Sequence, residues 1–314
     1  MNLKITPTLR SLLKKALEED LGPGDVTTRT LIPKGLRGEA AIVAKESGVF
    51  CGGKLVQEIF RLQDPTLKVK LHVAEGSRVQ KGKRTVTIRG RIPSILEAER
   101  VALNFLGHLS GIATLTRIFV AKVKGTHAKI FDTRKTTPLW RELEKYAVRA
   151  GGGENHRFGL WNEILVKENH WTAVSSLRVR RRRAKQSLFL DCFVGPAGLL
   201  AMTAKRRKIP VEIEVRSLRE LAHLLEGTFV PDRILLDNFS VRQLRRAVLF
   251  VKGFDQVLRI RYGIRRKAPE LEASGGIDLA NVRAVAQTGV DRISVGRLTH
   301  SAPAFDFSLE MTKV

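Results

Sequence analysis

The sequence predicts an α/β protein in which a smaller N-terminal α/β region precedes an α/β barrel. After about residue 113, short apolar runs alternate with helical patterns, as they do in successive parallel βαβ units. Polar residues follow nearly every apolar run, which is typical of barrels whose active site lies at the C-terminal ends of the strands. An open, doubly wound sheet is the structural alternative, and the polar strand ends favour the barrel.

The first third of the chain predicts a helix, then strands, then a second helix. "TLRSLLKKALEEDL" has helical periodicity and stops at Gly22-Pro23-Gly24. "GEAAIVAKESGVFCGG" and "LKVKLHVAEGSRVQKGKRTVTIRG" predict short strands separated by glycine turns. "SILEAERVALNFLGHLSGIATLTRIFVAKV" predicts a long helix that breaks near Gly111.

Seven apolar runs form the predicted barrel, with helical patterns such as "SLRELAHLLEG" and "DLANVRAVAQTG" between several of them. The runs are "AKIFDTRK", "EILVKENH", "PVEIEV", "RILLDN", "QVLRIRYG", "ELEASGG" and "DRISVG". We take residues 1–112 as the N-terminal domain and residues 113–300 as the barrel. The tail, residues 301–314, is expected to pack back on the N-terminal domain.

The composition indicates a folded, soluble protein. Hydrophobic residues make up 43% of the 314 residues and charged residues 28%, which is a globular balance. Two cysteines argue against a disulfide scaffold or a multi-cysteine metal site and suit a reducing cytoplasm. We see neither a signal-peptide core nor an apolar run long enough for a membrane span, so we expect a cytoplasmic location.

The net charge of +25 predicts anionic partners, which include nucleic acid, acidic membranes and charged metabolites. Part of the excess lies in an arginine-rich segment, residues 171–210, that contains the run 178–185. We interpret the segment as a surface insertion. A nucleic-acid tether and a misread stretch of the gene are alternatives. Only 6% of residues are aromatic and zinc-ligand spacing is missing, which argues against nucleic-acid binding as the main function.

The predicted strand ends bring together cations, carboxylates and glycine loops. Gly275 and Gly276, and then Gly296, follow the last two strands, where barrels commonly bind a phosphate. The remaining strand-end residues are Asp132, Arg134, Lys135, Lys167, His170, Glu212, Glu214, Asp237, Glu272 and Ser274. A substrate with phosphates and carboxylates, together with Mg²⁺, would explain the mixture. Structural ion pairs among these charges are the alternative.

One loop, "GGGENHRFGL" at residues 151–160, presents a histidine beside an arginine after three glycines. Each glycine costs conformational entropy on folding, so three in a row suggest unusual dihedral angles or the close approach of a ligand. A helix stop followed by a flexible turn is the simpler interpretation.

Long motifs in this chain resemble the quinolinate phosphoribosyltransferase family from about Leu17 to Leu309. They include "EEDLGPGDVTT", "ERVALNFLGHLSGIAT", "DTRKTTP", "LEKYAVRAGGGENHRFGL", "LVKENH", "EIEV", "LLDNF", "EASGGI" and "VDRISVGRLTHS". The resemblance implies an N-terminal α/β sandwich domain followed by an incomplete α/β barrel, the type II phosphoribosyltransferase architecture. It also implies a homodimer or a higher homo-oligomer.

The resemblance further implies an activity: quinolinate and phosphoribosyl pyrophosphate, with Mg²⁺, give nicotinate mononucleotide, CO₂ and pyrophosphate in NAD biosynthesis. Arg134, His156, Arg157 and Lys167 would face quinolinate, with Lys135 at the same site. Glu214 and Asp237 would face the ribose and the metal, directly or through water or substrate, with Glu272 near them. The 5′-phosphate region would be lined by Ser274, Gly275, Gly276, Gly296 and His300. Arg100 would reach the neighbouring subunit's site, and we assign catalysis to Lys135, Glu214 and Asp237 without naming a general acid or base.

Two positions depart from the family's pattern, because Leu139 stands where a glycine is frequent and Asn162 where an aspartate is common. Nicotinate phosphoribosyltransferase and molybdenum-operon pyrophosphorylases share the expected architecture and are alternatives. A second group of cations for the extra carboxylate favours quinolinate as the substrate.

Overall fold

The computed structural model describes residues 3–170, 172–173, 209–226, 230–262 and 268–313. The arginine-rich run 178–185 and Cys192 lie outside the described residues, so the interpretation of the run stays a prediction. The chain forms two compact units. The first unit comprises residues 1–118, 135–153 and 297–314, and the second comprises residues 119–134 and 154–296. The domain limits drawn from the sequence stay a prediction.

The strands of the described residues are, in chain order, β1 (Arg37–Ala44), β2 (Gly48–Val49), β3 (Lys68–Leu71), β4 (Arg78–Val79), β5 (Arg84–Arg91), β6 (Lys129–Phe131), β7 (Ile164–Val166), β8 (Val211–Val215), β9 (Arg233–Asp237), β10 (Glu270–Ser274), β11 (Arg292–Ser294) and β12 (Phe307–Lys313). The helices are α1 (Pro7–Leu21), α2 (Val26–Leu31), α3 (Gly53–Gln63), α4 (Ile92–Lys122), α5 (Arg141–Gly151), α6 (Leu218–Glu226), α7 (Val241–Tyr262), α8 (Val282–Ala286) and α9 (Arg297–His300).

The first unit is built on an antiparallel sheet with the strand order β12-β1-β5-β3, and β2 pairs separately with β4. The C-terminal strand β12 lies antiparallel to β1. The predicted first helix is confirmed as α1. The Thr6 side chain caps it by accepting the Leu9 N–H at 3.2 Å, and it stops at Gly22, whose φ is 48°. Helix α3 was missed, because residues 54–66, between the two stretches predicted as strands, were assigned no element.

Helix α4 runs without interruption from Ile92 to Lys122, so the predicted break near Gly111 is wrong. Gly107 and Gly111 are one helical turn apart and lie against the backbone of residues 303–305. A Cβ at Gly107 would lie 2.7 Å from the Phe305 carbonyl oxygen, and one at Gly111 would collide with the Pro303 carbonyl. The glycines therefore allow close backbone approach inside the helix, at a cost of about 1 kcal/mol each in helix propensity.

Helix α4 is long and apolar enough to cross a membrane by length and composition alone. Of its most apolar stretch, 61% is buried inside the protein, as in the core helix of a globular fold.

The second unit holds a parallel sheet of six strands in the order β6-β11-β10-β9-β8-β7. Its core comes from alternating apolar residues such as Ile213, Ile234 and Ile293, all fully buried. The predicted α/β architecture is confirmed, with one correction: residues 256–262, the first seven of "QVLRIRYG", belong to α7 and not to a strand. A short apolar run fits a buried strand and a helix segment equally well, and here the helix that begins at Val241 continues through it.

Strand register places charged residues side by side inside the parallel sheet. Glu272 on β10 pairs with Arg292 on β11, and Glu212 on β8 pairs with Arg233 on β9. Parallel strands end at one edge of a sheet, so their final side chains project together. The second unit therefore carries charge at two depths, inside the strands and at their C-terminal ends.

Candidate active site

The glycines of the 151–160 loop terminate a helix within the first unit. Gly151 is the last residue of α5, and a Cβ there would lie 2.5 Å from the Ala113 carbonyl oxygen. Gly152 follows in the left-handed conformation with φ of 93°, and its N–H donates to the Arg149 and Val148 carbonyls. The simpler interpretation, a helix stop, accounts for these two glycines.

His156 lies in the second unit and is held by protein groups at its backbone and at both ring nitrogens. Its backbone N–H donates to the buried Asp132 carboxylate at 2.8 Å (N to Oδ1). Its Nε2 lies 3.1 Å from Glu212 Oε2 and 3.3 Å from Glu272 Oε1. Its Nδ1 accepts the backbone N–H of Arg157 at 2.7 Å. The side chain is only 7% exposed.

His156 belongs to a group of ionisable side chains that we call the buried cluster: His156, Glu163, Glu212, Arg233, Glu272 and Arg292. Glu163 pairs with Arg233, and Glu272 Oε2 accepts from Arg292 Nε at 2.6 Å. Ser294 donates its hydroxyl to Glu272 Oε1 at 2.5 Å. Three carboxylates thus face two arginines, so the cluster is neutral when it holds one additional proton.

Either His156 or Glu212 can carry that proton. Burial alone lowers the pKa of His156, but Glu212 and Glu272 outweigh burial and raise it to about 9. The Arg157 N–H, in contrast, favours an unprotonated Nδ1. Burial and the nearby Glu272 raise the pKa of Glu212, so Glu212 can hold the proton when Nδ1 does not. The cluster stays neutral in both arrangements.

Glu272 remains ionised within the cluster. Burial by itself raises the pKa of this carboxyl, but His156, Arg292 and Ser294 outweigh burial and lower it to about 2. Its carboxylate is fully buried on these protein groups. The structure thus places Glu272 inside the sheet, while its predicted position near the ribose or metal stays a prediction.

Three cluster residues, His156, Glu163 and Glu212, have ligand atoms close enough together to surround a metal ion. Arg233 and Arg292 already neutralise two of the three carboxylates in the cluster. We therefore interpret the cluster as an ion-pair network, since a divalent cation would add charge to a neutral group.

A second group of charges, which we call the rim, lies at the C-terminal ends of β7, β8 and β9. It consists of Lys167, Glu214, Arg216 and Asp237. Lys167 Nζ lies 3.5 Å from Glu214 Oε2, and Arg216 Nε lies 3.7 Å from Glu214 Oε1. Arg216 Nε also lies 3.9 Å from Asp237 Oδ2. Lys167 and Arg216 are about half exposed, so the rim can exchange its ion pairs for a ligand.

Arg134 and Arg157 add cationic charge in the second unit. Arg157 Nη1 donates to the Glu163 carbonyl at 3.0 Å. Burial lowers the pKa of the Arg157 guanidinium, and the charge of Arg134 lowers it further. Two guanidinium groups that repel each other favour a bound anion, and arginine binds carboxylates with paired hydrogen bonds.

The predicted phosphate loop begins where β10 ends. The Ser274 carbonyl accepts the Asn238 N–H at 2.8 Å, and Gly275 and Gly276 follow with φ of 90° and 59°. A Cβ at Gly275 would collide with the Asn238 side chain. Helix α8 begins only at Val282 and has five residues, so a helix N-terminus contributes little positive charge at this loop. Gly296 follows β11, and its predicted phosphate contact stays a prediction.

Three predicted site residues lie in the first unit. Arg100 is on α4. The Lys135 carbonyl accepts the Thr299 hydroxyl at 2.6 Å, which ties the segment after Arg134 to α9. His300 Nδ1 lies 2.6 Å from the Ser301 hydroxyl oxygen. Their predicted ligand contacts stay predictions.

Sequence reasoning assigned no function to Glu163, Arg233, Arg292 or Arg216. It placed Glu212 among the strand ends, although Glu212 lies inside β8. A signal was present, because "VEIEV" and "ELEAS" carry carboxylates within apolar strands rather than after them. A carboxylate in the middle of a buried strand requires a cationic partner. Arg292, which begins β11, pairs with Glu272, and His156 lies beside Glu212.

Family models match nearly the whole chain. The model described as "Quinolinate phosphoribosyl transferase, N-terminal domain" matches residues 25–110. The one described as "Quinolinate phosphoribosyl transferase, C-terminal domain" matches residues 112–192 and 199–310. The chain belongs to the quinolinate phosphoribosyltransferase family. The family resemblance proposed from the motifs is thereby confirmed.

Curated relatives of this family are similar over nearly their full length. The nicotinate-nucleotide pyrophosphorylase [carboxylating] of Mycobacterium leprae is 39% identical over 307 residues, covering 96% of each chain. A probable nicotinate-nucleotide pyrophosphorylase [carboxylating] of Bacillus subtilis is 36% identical and covers 97% of this chain and 93% of its own.

Solved structures of the family confirm the fold. NadC from Streptococcus pyogenes superposes with a TM-score of 0.83 at 34% identity, covering 100% of both chains. The nicotinate-nucleotide pyrophosphorylase from Francisella tularensis gives a TM-score of 0.80 at 32% identity over 98% of both chains. Human nicotinic acid phosphoribosyltransferase has a TM-score of 0.61 at 12% identity, which shows a shared fold alone.

Proposed function

We propose that this protein is a decarboxylating quinolinate phosphoribosyltransferase, a pentosyltransferase of NAD biosynthesis. It transfers phosphoribose from phosphoribosyl pyrophosphate to quinolinate and releases pyrophosphate and CO₂. The observation that carries the proposal is the meeting of cations and a carboxylate pair at the C-terminal ends of one parallel sheet. The chain that holds them matches nicotinate-nucleotide pyrophosphorylases along nearly its full length.

Quinolinate is a dicarboxylate, and the second unit offers it a group of cations. Arg134 and Arg157 lie close enough for the charge of one to lower the pKa of the other. Lys167 lies at the end of β7 with its ammonium about half exposed. Guanidinium groups fix the orientation of a planar carboxylate, while the lysine adds a compact point charge. A monocarboxylate such as nicotinate would leave part of this cationic group unmatched.

Glu214 and Asp237 are the residues proposed to hold Mg²⁺, directly or through water. Their carboxylates lie at the ends of neighbouring strands, and oxygen ligands of this kind suit a hard divalent cation. Lys167 and Arg216, which pair with them here, are exposed enough to turn toward the phosphates of a substrate. When bound, Mg²⁺ supplies neutralisation of the charge that develops on the departing pyrophosphate.

The reaction then needs positioning more than proton transfer. The cations hold quinolinate so that its ring nitrogen attacks the anomeric carbon as the bond to pyrophosphate breaks. Glu214 and Asp237 stabilise the positive charge that develops on the ribose. The ribosylated ring nitrogen is cationic, so the bond to the adjacent carboxylate can break with its electron pair left on the ring carbon. CO₂ leaves, and a solvent proton completes nicotinate mononucleotide.

The proposal extends to the setting of the enzyme. We propose a cytoplasmic homodimer in which Arg100 reaches the neighbouring site, as the family resemblance implies. The run 178–185, the candidate nucleic-acid contact, lies outside the described residues and is not needed for this activity.

The test is product formation from quinolinate and phosphoribosyl pyrophosphate with Mg²⁺, with nicotinate as the parallel substrate. Release of CO₂ and formation of nicotinate mononucleotide should occur with quinolinate, and nicotinate should turn over at least about 100-fold more slowly in kcat/KM. Equal turnover of nicotinate, or no turnover from folded protein, would overturn the proposal. Omission of Mg²⁺ with added chelator should abolish turnover.

A further inference from the structure

One arm of the buried cluster reaches the predicted substrate loop through the ring of His156. Glu212 Oε2 and Glu272 Oε1 both lie near Nε2, at 3.1 and 3.3 Å. On the other side of the ring, Nδ1 accepts the backbone N–H of Arg157. The contacts therefore form a continuous chain from carboxylates inside the sheet, through an imidazole, to the backbone of a predicted substrate-binding arginine.

A second arm of the cluster reaches the other end of Arg157. Its guanidinium donates to the backbone carbonyl of Glu163, and the Glu163 carboxylate pairs with Arg233. The backbone and the head group of Arg157 are thus both fixed by residues of one buried network. The His156 backbone is fixed as well, because its N–H donates to Asp132.

Burying the charged groups of the cluster inside the sheet costs desolvation free energy. Glu212 and Glu272 have no exposed surface, and neither oxygen of Glu212 has a hydrogen bond of good geometry among the described residues. Buried ion pairs of this kind are often no more stable than well-packed apolar side chains of similar volume. Stability alone is therefore a weak reason for placing three carboxylates here, whereas fixing one orientation of a substrate-binding loop is a sufficient one.

We propose that Glu212 and Glu272 are positioning residues for the transfer reaction: acting through His156, they fix Arg157 in the orientation that receives a substrate carboxylate. This inference rests on the proposed function. It assigns Glu212 a part in substrate binding that sequence reasoning did not, and it places Glu272 behind His156 rather than at the ribose. Both residues act without touching the substrate.

The chain offers a matched control on the same strand. Glu270 lies two residues before Glu272 on β10 and also faces Arg292, with its Oε2 3.8 Å from Arg292 Nη1. It is more exposed, at 39%, and His156 is in contact with Glu272 rather than with Glu270. Glu270→Gln therefore removes a carboxylate from the same arginine and leaves the carboxylates at His156 in place.

The kinetic experiment compares Glu272→Gln and Glu212→Gln with Glu270→Gln and the unchanged enzyme. For the first two variants we expect KM for quinolinate to rise about 10-fold or more, with KM for phosphoribosyl pyrophosphate changed less than about 2-fold and kcat less than about 3-fold. Glu270→Gln should change each constant less than about 2-fold. Equal rises in both KM values, unchanged kinetics, or the same rise in Glu270→Gln would overturn the inference.

A second measurement does not depend on turnover. NMR of uniformly ¹⁵N-labelled protein reports hydrogen bonds at Nε2 and Nδ1 of each histidine as well as the Arg157 backbone amide, and His156→Gln identifies the His156 signals. Glu272→Gln should shift both His156 nitrogens, Glu270→Gln should shift neither, and Arg157 backbone amide resonances should move only with the former. Unchanged His156 signals in Glu272→Gln would overturn the inference.

The two experiments distinguish a failure of the positioning role from a failure of the proposed function. If the unchanged enzyme fails to turn over quinolinate, the proposed function fails, while the NMR comparison still tests the chain from Glu272 to Arg157. If Glu272→Gln does not fold, Glu212→Gln supplies the same kinetic and NMR comparison, because Glu212 contacts the same ring nitrogen, Nε2.

Discussion

Glu212 and Glu214 are two residues apart on β8 and point to the same face, yet they belong to different environments. Glu212 is fully buried in the cluster beside His156. Glu214 keeps 7% of its surface at the rim, and its partners Lys167 and Arg216 are about half exposed. A spacing of two residues along the strand therefore separates a carboxylate inside the protein from one that can reach a ligand.

The comparison teaches that depth along the strand decides what a charge contributes. In the buried cluster each charge has been taken out of water, so removal of a partner leaves an uncompensated charge and destabilises the fold. At the rim, solvent screens the ion pairs, so they contribute little to the free energy of unfolding. Their charged groups remain available to bind substrate. Substitutions in the buried cluster should therefore change the free energy of unfolding most, and substitutions at the rim should change kcat most.

The largest expected effect is on stability, from a change inside the cluster. Arg292→Met should lower the free energy of unfolding by about 3–5 kcal/mol, because it leaves Glu272 buried without its guanidinium partner. The same change removes the contact of the Arg292 guanidinium with the Phe131 ring, whose centroid lies 3.6 Å from Cζ. Urea unfolding monitored by circular dichroism measures the difference.

The matched change at the rim is Arg216→Met. Arg216 is 49% exposed, so its loss should alter the free energy of unfolding by less than about 1 kcal/mol. Equal destabilisation by the two substitutions would break the distinction between the buried cluster and the rim.

The next effect is on activity and comes from the rim. Asp237→Asn should reduce kcat with quinolinate by about 100-fold or more, because the amide cannot neutralise developing positive charge or hold Mg²⁺. The free energy of unfolding should change by less than about 1 kcal/mol. Steady-state kinetics and urea unfolding on one preparation check both statements. A variant with full activity would remove Asp237 from the proposed site.

Sequence reasoning found the rim better than the buried cluster, for a physical reason. Lys167, Glu214 and Asp237 end apolar strands, and the C-terminal ends of parallel strands meet at one edge, so their proximity follows from the fold class. Arg233 and Arg292 begin strands, where the same rule gives no reason to expect partners. Their pairing with carboxylates depends on strand register, which a single sequence does not reveal.

The sequence predicted the type of fold correctly but misassigned individual elements. The alternation of apolar runs and helical patterns predicted the parallel sheet, but "QVLRIRYG" was assigned to a strand because periodicity is ambiguous in short apolar segments. The predicted break of α4 at Gly111 failed because a glycine inside a helix can serve a tertiary contact. Here that contact is the backbone at Pro303 and Phe305, about 190 residues away in the chain.

A third effect is a dependence of stability on pH that originates in the buried cluster. In the arrangement in which the imidazole, and not Glu212, holds the proton of the buried cluster, the pKa of His156 is raised from 6.5 to about 9 in the folded protein. Because the folded pKa lies above the unfolded one, its contribution is complete below about pH 6.5 and is lost as the pH rises through 9. The shift corresponds to at most about 3 kcal/mol. Urea unfolding at pH 6, 7.5 and 9 measures it.

His156→Gln supplies the control for the pH dependence, because glutamine does not titrate. The decrease in the free energy of unfolding between pH 6.5 and 9 should be smaller in this variant than in the unchanged protein. A decrease of the same size in both proteins would place the proton on Glu212 or on other groups and not on His156.

The smallest effect concerns an exposed side chain, Leu139, in the first unit. Its side chain is 87% exposed, so by depth alone any substitution should be neutral. Its backbone, however, adopts a φ of 67°, a left-handed conformation that costs a residue with a Cβ about 1–2 kcal/mol. Glycine adopts this conformation freely, which explains why the family's pattern often has a glycine here.

Leu139→Gly should therefore stabilise the protein by about 0.5–1 kcal/mol, since the relief of backbone strain exceeds the entropy that glycine adds to the unfolded chain. Leu139→Ala separates the two contributions: it shortens the exposed side chain but keeps the Cβ, so it should change the free energy of unfolding by less than about 0.5 kcal/mol. If alanine stabilises as much as glycine does, exposure of the leucine side chain and not the left-handed backbone is the source of the effect. Side-chain exposure, and not backbone conformation, would then decide the effect of a substitution on stability in the first unit.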